Sequence, residues 1–194
     1  MERAKTLSGE TAGQFEIELS MLIDLAVSQG VRSYLEIGAR HGDTFHRAMS
    51  ALPKGSAGVA VDMPGGLWGK PKTDTALNRR IAELNGMGYN TRAVYGDSHS
   101  EKTVTDVSQS APFDLVFIDA DHTYEAVKKD WELYCPMAKL VAFHDIVGHG
   151  QKCRRFPVEV PRLWAEIAPG RRWTQFIAPG SKMGIGVIFN PPAE

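Results

Sequence analysis

Asp119, Asp121 and His122 close an apolar run in the segment FDLVFIDADH, and His144 and Asp145 close the next one, LVAFHD. Carboxylates and imidazoles in this combination do two kinds of work: they hold divalent cations, and they take protons from hydroxyl groups. Packing explains them poorly, because an ionised carboxylate is seldom buried without a partner or a metal. Singly, each has an ordinary reading. Asp119 or Asp121 can cap a helix beginning near Thr123, and His122 can be a surface histidine. Repetition at two successive run ends is what points to a site.

The elements that must position these residues follow from the periodicity. Val116, Phe117 and Ile118 are β-branched or aromatic without polar alternation, which suits a strand covered on both faces of a parallel α/β sheet. Tyr124, Val127, Trp131 and Tyr134 then recur at three or four residues, so a helix follows after a short turn. Earlier strands are read over 33–37, 58–61 and 91–95, ending near Gly38, Asp62 and Gly96, and the strand carrying His144 over 140–143. A first helix has Phe15, Leu19, Leu22 and Ala26 on one face, a cap at Ser8 or Thr11 and a stop at Gly30. Further helices carry Phe45 and Met49 or span about 75–84 and 160–167, and the runs 173–177 and 185–189 form an antiparallel hairpin on the sheet. Ligands in such sheets bind beyond the carboxyl ends of the strands, where the acids and histidines lie.

With 194 residues, 43% of them hydrophobic, the chain suits one domain over 1–194: an N-terminal helical segment to residue 30 and a core from 31 onward. A formal net charge of −1 gives no footprint for nucleic acid or an anionic membrane, with Arg154, Arg155, Arg171 and Arg172 at most a local patch. Cys135 and Cys153 form neither a disulfide framework nor a zinc motif. No apolar leader or membrane-length run occurs, so the expected compartment is the cytoplasm.

The loop after the first strand reads YLEIGARHGD, in which Gly38 and Gly42 permit close backbone approach, while Ala39, Arg40 and His41 set it apart from the dinucleotide motif. Asp62 stands where α/β nucleotide sites place the carboxylate for ribose hydroxyls, and Asp97 can accept from an adenine amino group. In order, E-I-G-x-x-x-G, V-D, G-D-S, F-D-L-V-F-I-D-A-D-H and F-H-D resemble the class I S-adenosylmethionine (SAM)-dependent methyltransferases, most closely the small-molecule O-methyltransferases of the catechol O-methyltransferase type with I-D-x-D-H after strand four. The resemblance runs from about Tyr34 to Phe189.

That resemblance implies a Rossmann-like, doubly wound α/β fold with a seven-stranded, mostly parallel sheet and an antiparallel strand in its C-terminal hairpin. It implies methyl transfer from SAM to a phenol, catechol or sugar-type hydroxyl. Glu36, Gly38 and Gly42 would then surround the methionine part of the cofactor, Asp62 the ribose, and Asp97 and Ser98 the adenine. Asp119, His144 and Asp145 match the family's metal ligands for magnesium or manganese, with Asp119 bordering the cofactor as well. A histidine replaces the first strand-five carboxylate, which favours softer divalent ions. His122 matches the lysine that serves as base in catechol-type enzymes, and an imidazole's ordinary pKa of about 6.5 suits that task. Trp68, Lys70 and the stretch 149–155 are expected to line the acceptor pocket, with a small substrate cover or one supplied by a second copy in a homo-oligomer. Two other classes stay open on the residues alone. One is a metal-dependent hydrolase or oxygenase using Asp119, His122 and His144; the other is a catalytically silent SAM-binding module.

Overall fold

Runs that are apolar on both faces need cover on both faces, and the chain supplies it by alternating them with amphipathic helices. The computed structural model describes residues 16–66, 72–148, 152–153 and 156–190. In chain order it has α1 (Glu16–Ser28), β1 (Ser33–Ile37), α2 (Asp43–Ala51), β2 (Ala57–Asp62), α3 (Thr73–Gly86), β3 (Asn90–Tyr95), α4 (Glu101–Ser108), β4 (Phe113–Ile118), α5 (Tyr124–Tyr134), β5 (Ala138–His144), a short β6–β7 pair (Lys152–Cys153 and Phe156–Pro157), α6 (Val160–Ile167), β8 (Arg172–Phe176) and β9 (Ile185–Phe189). The seven-stranded sheet has the order β3-β2-β1-β4-β5-β9-β8. β1 to β5 pair in parallel, while β9 runs antiparallel to both β5 and β8. This is the expected doubly wound sheet with its antiparallel C-terminal strand.

Each face of the sheet carries its own core. Leu35, Ile37, Val116, Ile118, Val141 and Phe143 pack with α5 and α6 on one side. Tyr34, Ala60, Leu115, Phe117 and Ala142 pack with α1, α2 and α3 on the other. Helix α4 does not appear in the sequence reading, because Glu101–Ser108 shows only Thr103 and Val107 to the core. Its start is nonetheless a simple cap, with the Ser100 hydroxyl accepting from the Thr103 amide at 3.2 Å. The Ser8 or Thr11 cap, Phe15, Trp68 and Lys70 lie outside the described residues, as do His149, Arg154 and Arg155. Arg171 and Arg172 are used internally, the first donating to the Ile167 carbonyl at 2.7 Å and the second lying over the Phe189 ring.

Leu19, Leu22 and Ala26 of α1 are buried as the spacing predicts, but so is Glu18. Its carboxylate accepts from the Ala178 amide at 2.9 Å and the Gly184 amide at 3.3 Å, tying α1 to the β8–β9 connection. Stranding a buried donor costs about 1 to 3 kcal/mol. Glu18→Ala is therefore expected to lower unfolding stability by about 2 to 4 kcal/mol, read as a lower denaturant midpoint at unchanged slope. Unfolding at the wild-type midpoint would show that these two bonds contribute nothing.

Candidate active site

Parallel register lines the strand ends up in one row. Ile37 pairs with both Val61 and Ile118, Val61 with Val94, and Ile118 with Phe143. The next residues along, Gly38, Asp62, Asp119 and His144, therefore emerge at one level on the carboxyl edge, with Gly96 close by after β3. The winding of the sheet reverses between β1 and β4, and the crevice opens there.

Gly38 sits at that reversal with φ +93°, and a Cβ there would collide with the Asp119 carbonyl oxygen and come within 2.7 Å of Ala120 Cα. Gly42, at φ +79°, would bring a Cβ within 2.7 Å of Leu77 on α3. Gly38 is thus required by main chain of the protein itself and Gly42 by its positive φ, beside the ligand approach that the sequence reading assigns to both. Between them Arg40 is left-handed at φ 53°, a conformation uncommon for any residue with a side chain.

Glu36 is buried on the same face of β1 as Tyr34, whose hydroxyl donates to it at 2.7 Å. Burial pushes its pKa up to about 8 against the pull of the Tyr34 bond, and the charges of Asp119, Asp62 and Asp43 add to the rise. Burial is the first cause of that rise, and the surrounding carboxylates come second. Asp62 is 7% exposed, accepts from the Arg40 amide at 3.0 Å and the Thr73 hydroxyl at 2.9 Å, and is still raised by burial. It fastens the glycine loop to the first residue of α3.

Beyond β3, Asp97 Oδ1 accepts from the His99 amide at 2.9 Å, and the Ser98 carbonyl accepts from the Tyr134 hydroxyl at 2.7 Å. Gly96 donates to the Asp62 carbonyl at 3.0 Å. The turn is thereby held from β2 on one side and from α5 on the other.

Asp119, His144 and Asp145 converge at the opposite end. His144 Nδ1 lies 3.1 Å from Asp119 Oδ1 and 3.4 Å from Asp145 Oδ2, and His122 Nδ1 lies 3.2 Å from that same Asp145 oxygen. Burial acts to lower the His144 pKa, but the Asp119 and Asp145 carboxylates outweigh it and hold the imidazole well above its ordinary value. Asp145 is lowered despite its burial, because the two imidazoles flank it. It is also left-handed, at φ 61°, which is backbone strain of the kind kept at functional sites. One donor atom from each of Asp119, His144 and Asp145 lies within 4.8 Å of the others. Oxygen and nitrogen ligands at about 2.1 Å from an octahedral ion stand about 3 Å apart, so the His144 separations fit a divalent cation in place of the shared proton.

The expected residues divide in two. Glu36, Gly38, Asp62, Asp119, His122, His144 and Asp145 gather at the crevice, whereas Asp121 accepts from the Thr123 amide at 2.9 Å in a turn before α5 and does not cap the helix, whose N-cap is Thr123 without a side-chain bond. The sequence reading passed over Tyr34, Thr73, His99 and Asp130. Asp130 had left a signal: it stands on the apolar stripe of α5 between Val127 and Tyr134 and is fully buried, while Trp131 is only partly so.

The family model described as a methyltransferase domain matches residues 35–146, more than half of the chain. Among solved structures, an O-methyltransferase from Bacillus cereus in complex with SAH is 19% identical, with a TM-score of 0.67 over 95% of this chain and 84% of that one. The O-methyltransferase TomG from Streptomyces achromogenes, involved in tomaymycin synthesis and in complex with SAM, is 18% identical, with a TM-score of 0.65 over 88% of this chain and 78% of that one. These likenesses establish the fold. No curated protein matches the sequence.

Proposed function

The chain belongs to this methyltransferase-domain family, and from that premise we propose that it transfers the methyl group of SAM to a hydroxyl of a small phenol, catechol or sugar-type acceptor. The observation that carries the reading is the acid-rich crevice at the β1/β4 reversal, where parallel register brings Asp62 and Asp119 to one level on either side of the strand that holds Glu36. Such a crevice attracts a sulfonium and an α-ammonium group and repels a pyrophosphate. On this reading Asp62 accepts the ribose hydroxyls, Asp97 and Ser98 meet the adenine, and Glu36 and the loop from Gly38 to Gly42 border the methionine end.

Methyl transfer discharges the sulfonium in the transition state, so alignment of donor and acceptor contributes most. Asp119, His144 and Asp145 are the residues to hold a divalent ion such as magnesium or manganese, which when bound supplies Lewis acidity to the acceptor hydroxyl. His122 removes the hydroxyl proton. Its Nδ1 is turned to Asp145, which fixes the ring much as a carboxylate orients the histidine of other acid–base pairs, and proton removal falls to Nε2. Two histidines and two carboxylates thus share one pole of the crevice, and the cofactor residues occupy the rest. Among the described residues no helix is long and apolar enough to cross a membrane.

Calorimetry with SAM and with S-adenosylhomocysteine (SAH) tests the reading: both bind, NAD does not, and Asp62→Asn weakens both by about 10- to 100-fold through loss of charge-assisted bonds. Asparagine keeps an acceptor for the Arg40 amide, so the loop remains fastened. Absence of SAH binding to the wild type would overturn the proposal.

A further inference from the structure

The turn after β3 is gripped by a half-buried ion pair that the reaction itself does not require. His99 Nε2 lies 3.1 Å from Asp130 Oδ1, and Asp130 is 0% exposed in the middle of α5. Its other oxygen, Oδ2, is buried without a hydrogen-bond partner among the described residues. A carboxylate so placed depends on its cationic neighbour and on the Ser98 side chain, which both favour its charged form, since a buried charge left alone is strongly destabilising. The surroundings of His99 are acceptors on every side: Asp130 on α5, the Ala126 carbonyl one turn earlier, and Asp97 Oδ1 at 4.0 Å on its own loop. Asp121 presses on Asp130 from the start of α5, and the Tyr134 hydroxyl reaches the Ser98 carbonyl from its end.

We propose that His99 and Asp130 form a positioning pair that holds the Gly96–Asp97–Ser98 turn in the shape that receives the adenine of the cofactor. The inference rests on the reading of Asp97 and Ser98 given under Proposed function. Its geometry is direct. The His99 amide donates to the carboxylate offered to the adenine, and its ring is anchored to a helix that also holds the Ser98 carbonyl. Loss of the anchor frees the ring, and with it the backbone amide that orients Asp97.

The pair also has a direction in pH. The Asp130 bond raises His99 above its ordinary value despite partial burial. The clamp is therefore present below histidine's ordinary pKa for as long as Asp130, itself raised by burial, keeps its charge, and it is lost as pH rises through the raised His99 value. Cofactor affinity should fall over that interval, and by reciprocity SAH binding should raise the His99 pKa. Glu36, pushed up to about 8, titrates nearby, so the comparison must be with a variant that alters only the pair.

The test is SAH calorimetry from about pH 6 to pH 9 on the wild type, Asp130→Asn and His99→Gln, alongside the S-inosyl analogue of SAH, which lacks the adenine amino group. Expected are wild-type binding that weakens with rising pH, a loss in both variants of about fivefold to tenfold at the acid end, a flatter pH profile and poorer discrimination against the inosyl analogue. An NMR titration of the His99 ring in the wild type, with and without SAH, requires no variant and should show its pKa raised by the ligand. Wild-type affinity, pH profile and discrimination in the folded variants would overturn the proposal and leave the function standing, as would a His99 titration that SAH does not move. No SAH binding to the wild type would overturn both.

Discussion

Converting Asp119 to asparagine is expected to lower methyl transfer by about two orders of magnitude or more and to remove its response to added magnesium or manganese. The substitution is nearly isosteric. Its amide oxygen still accepts from His144 Nδ1, which lies 3.1 Å from the present carboxylate, and the main chain that touches Gly38 is unchanged. What is lost is one of two negative charges facing the imidazole, together with a hard oxygen ligand. SAH affinity measured on the same protein should stay within about twofold, a change under 0.5 kcal/mol. Steady-state assays in chelator, then in each metal, decide the matter. A wild-type enzyme fully active in chelator would reassign Asp119 and Asp145 to hydrogen bonding alone.

His122→Ala should lower turnover about 100-fold at neutral pH, as expected for a lost general base, and should erase the acidic limb of the pH-rate profile. The structure sharpens this expectation, because His122 shares Asp145 with His144. Removing His122 leaves Asp145 paired to His144, so metal affinity should change little, whereas Asp145→Asn should injure both functions together. Retention of the wild-type rate and acidic limb by His122→Ala would leave acceptor activation to the metal pole alone.

Strand positions and strand ends were legible because buried parallel strands write themselves as unbroken apolar runs, and β4 stops where its run meets Asp119. Asp62, Asp119, His144 and Asp145 could be singled out for the same reason, as polar residues at the ends of apolar runs. The burial and the partners of Glu18, Glu36 and Asp130 could not, although the E-I-G motif names Glu36 and the α5 stripe marks Asp130. Each is a buried acid whose partner is remote in sequence or invisible in spacing: the amides of Ala178 and Gly184, the Tyr34 hydroxyl two residues away across a pleat, and His99 on another loop. The glycines were found for ligand approach, and the structure adds a second reason for them. Their positive φ belongs to the loop itself, but the atoms crowding them belong to β4 and α3, and no local pattern announces a contact made by another element. Helix α4 escaped because two buried positions in eight make too faint a stripe.

The meeting of Gly38 with the Asp119 carbonyl works as a fixed gauge between the two halves of the crevice. The two segments touch through main chain, which has no rotamer to swing and no methylene to shorten, so on the proposed reading of the site the spacing from methyl donor to acceptor pole is set before any side chain is chosen. Variation in such a scaffold is thereby channelled. Residues on the surrounding loops can be exchanged to admit a broader, longer or more polar acceptor while the reach of the transfer stays constant. A change at the gauge itself penalises every acceptor alike. Broad acceptor range and a constant transfer distance are then compatible properties of one sheet, because different parts of the chain govern them.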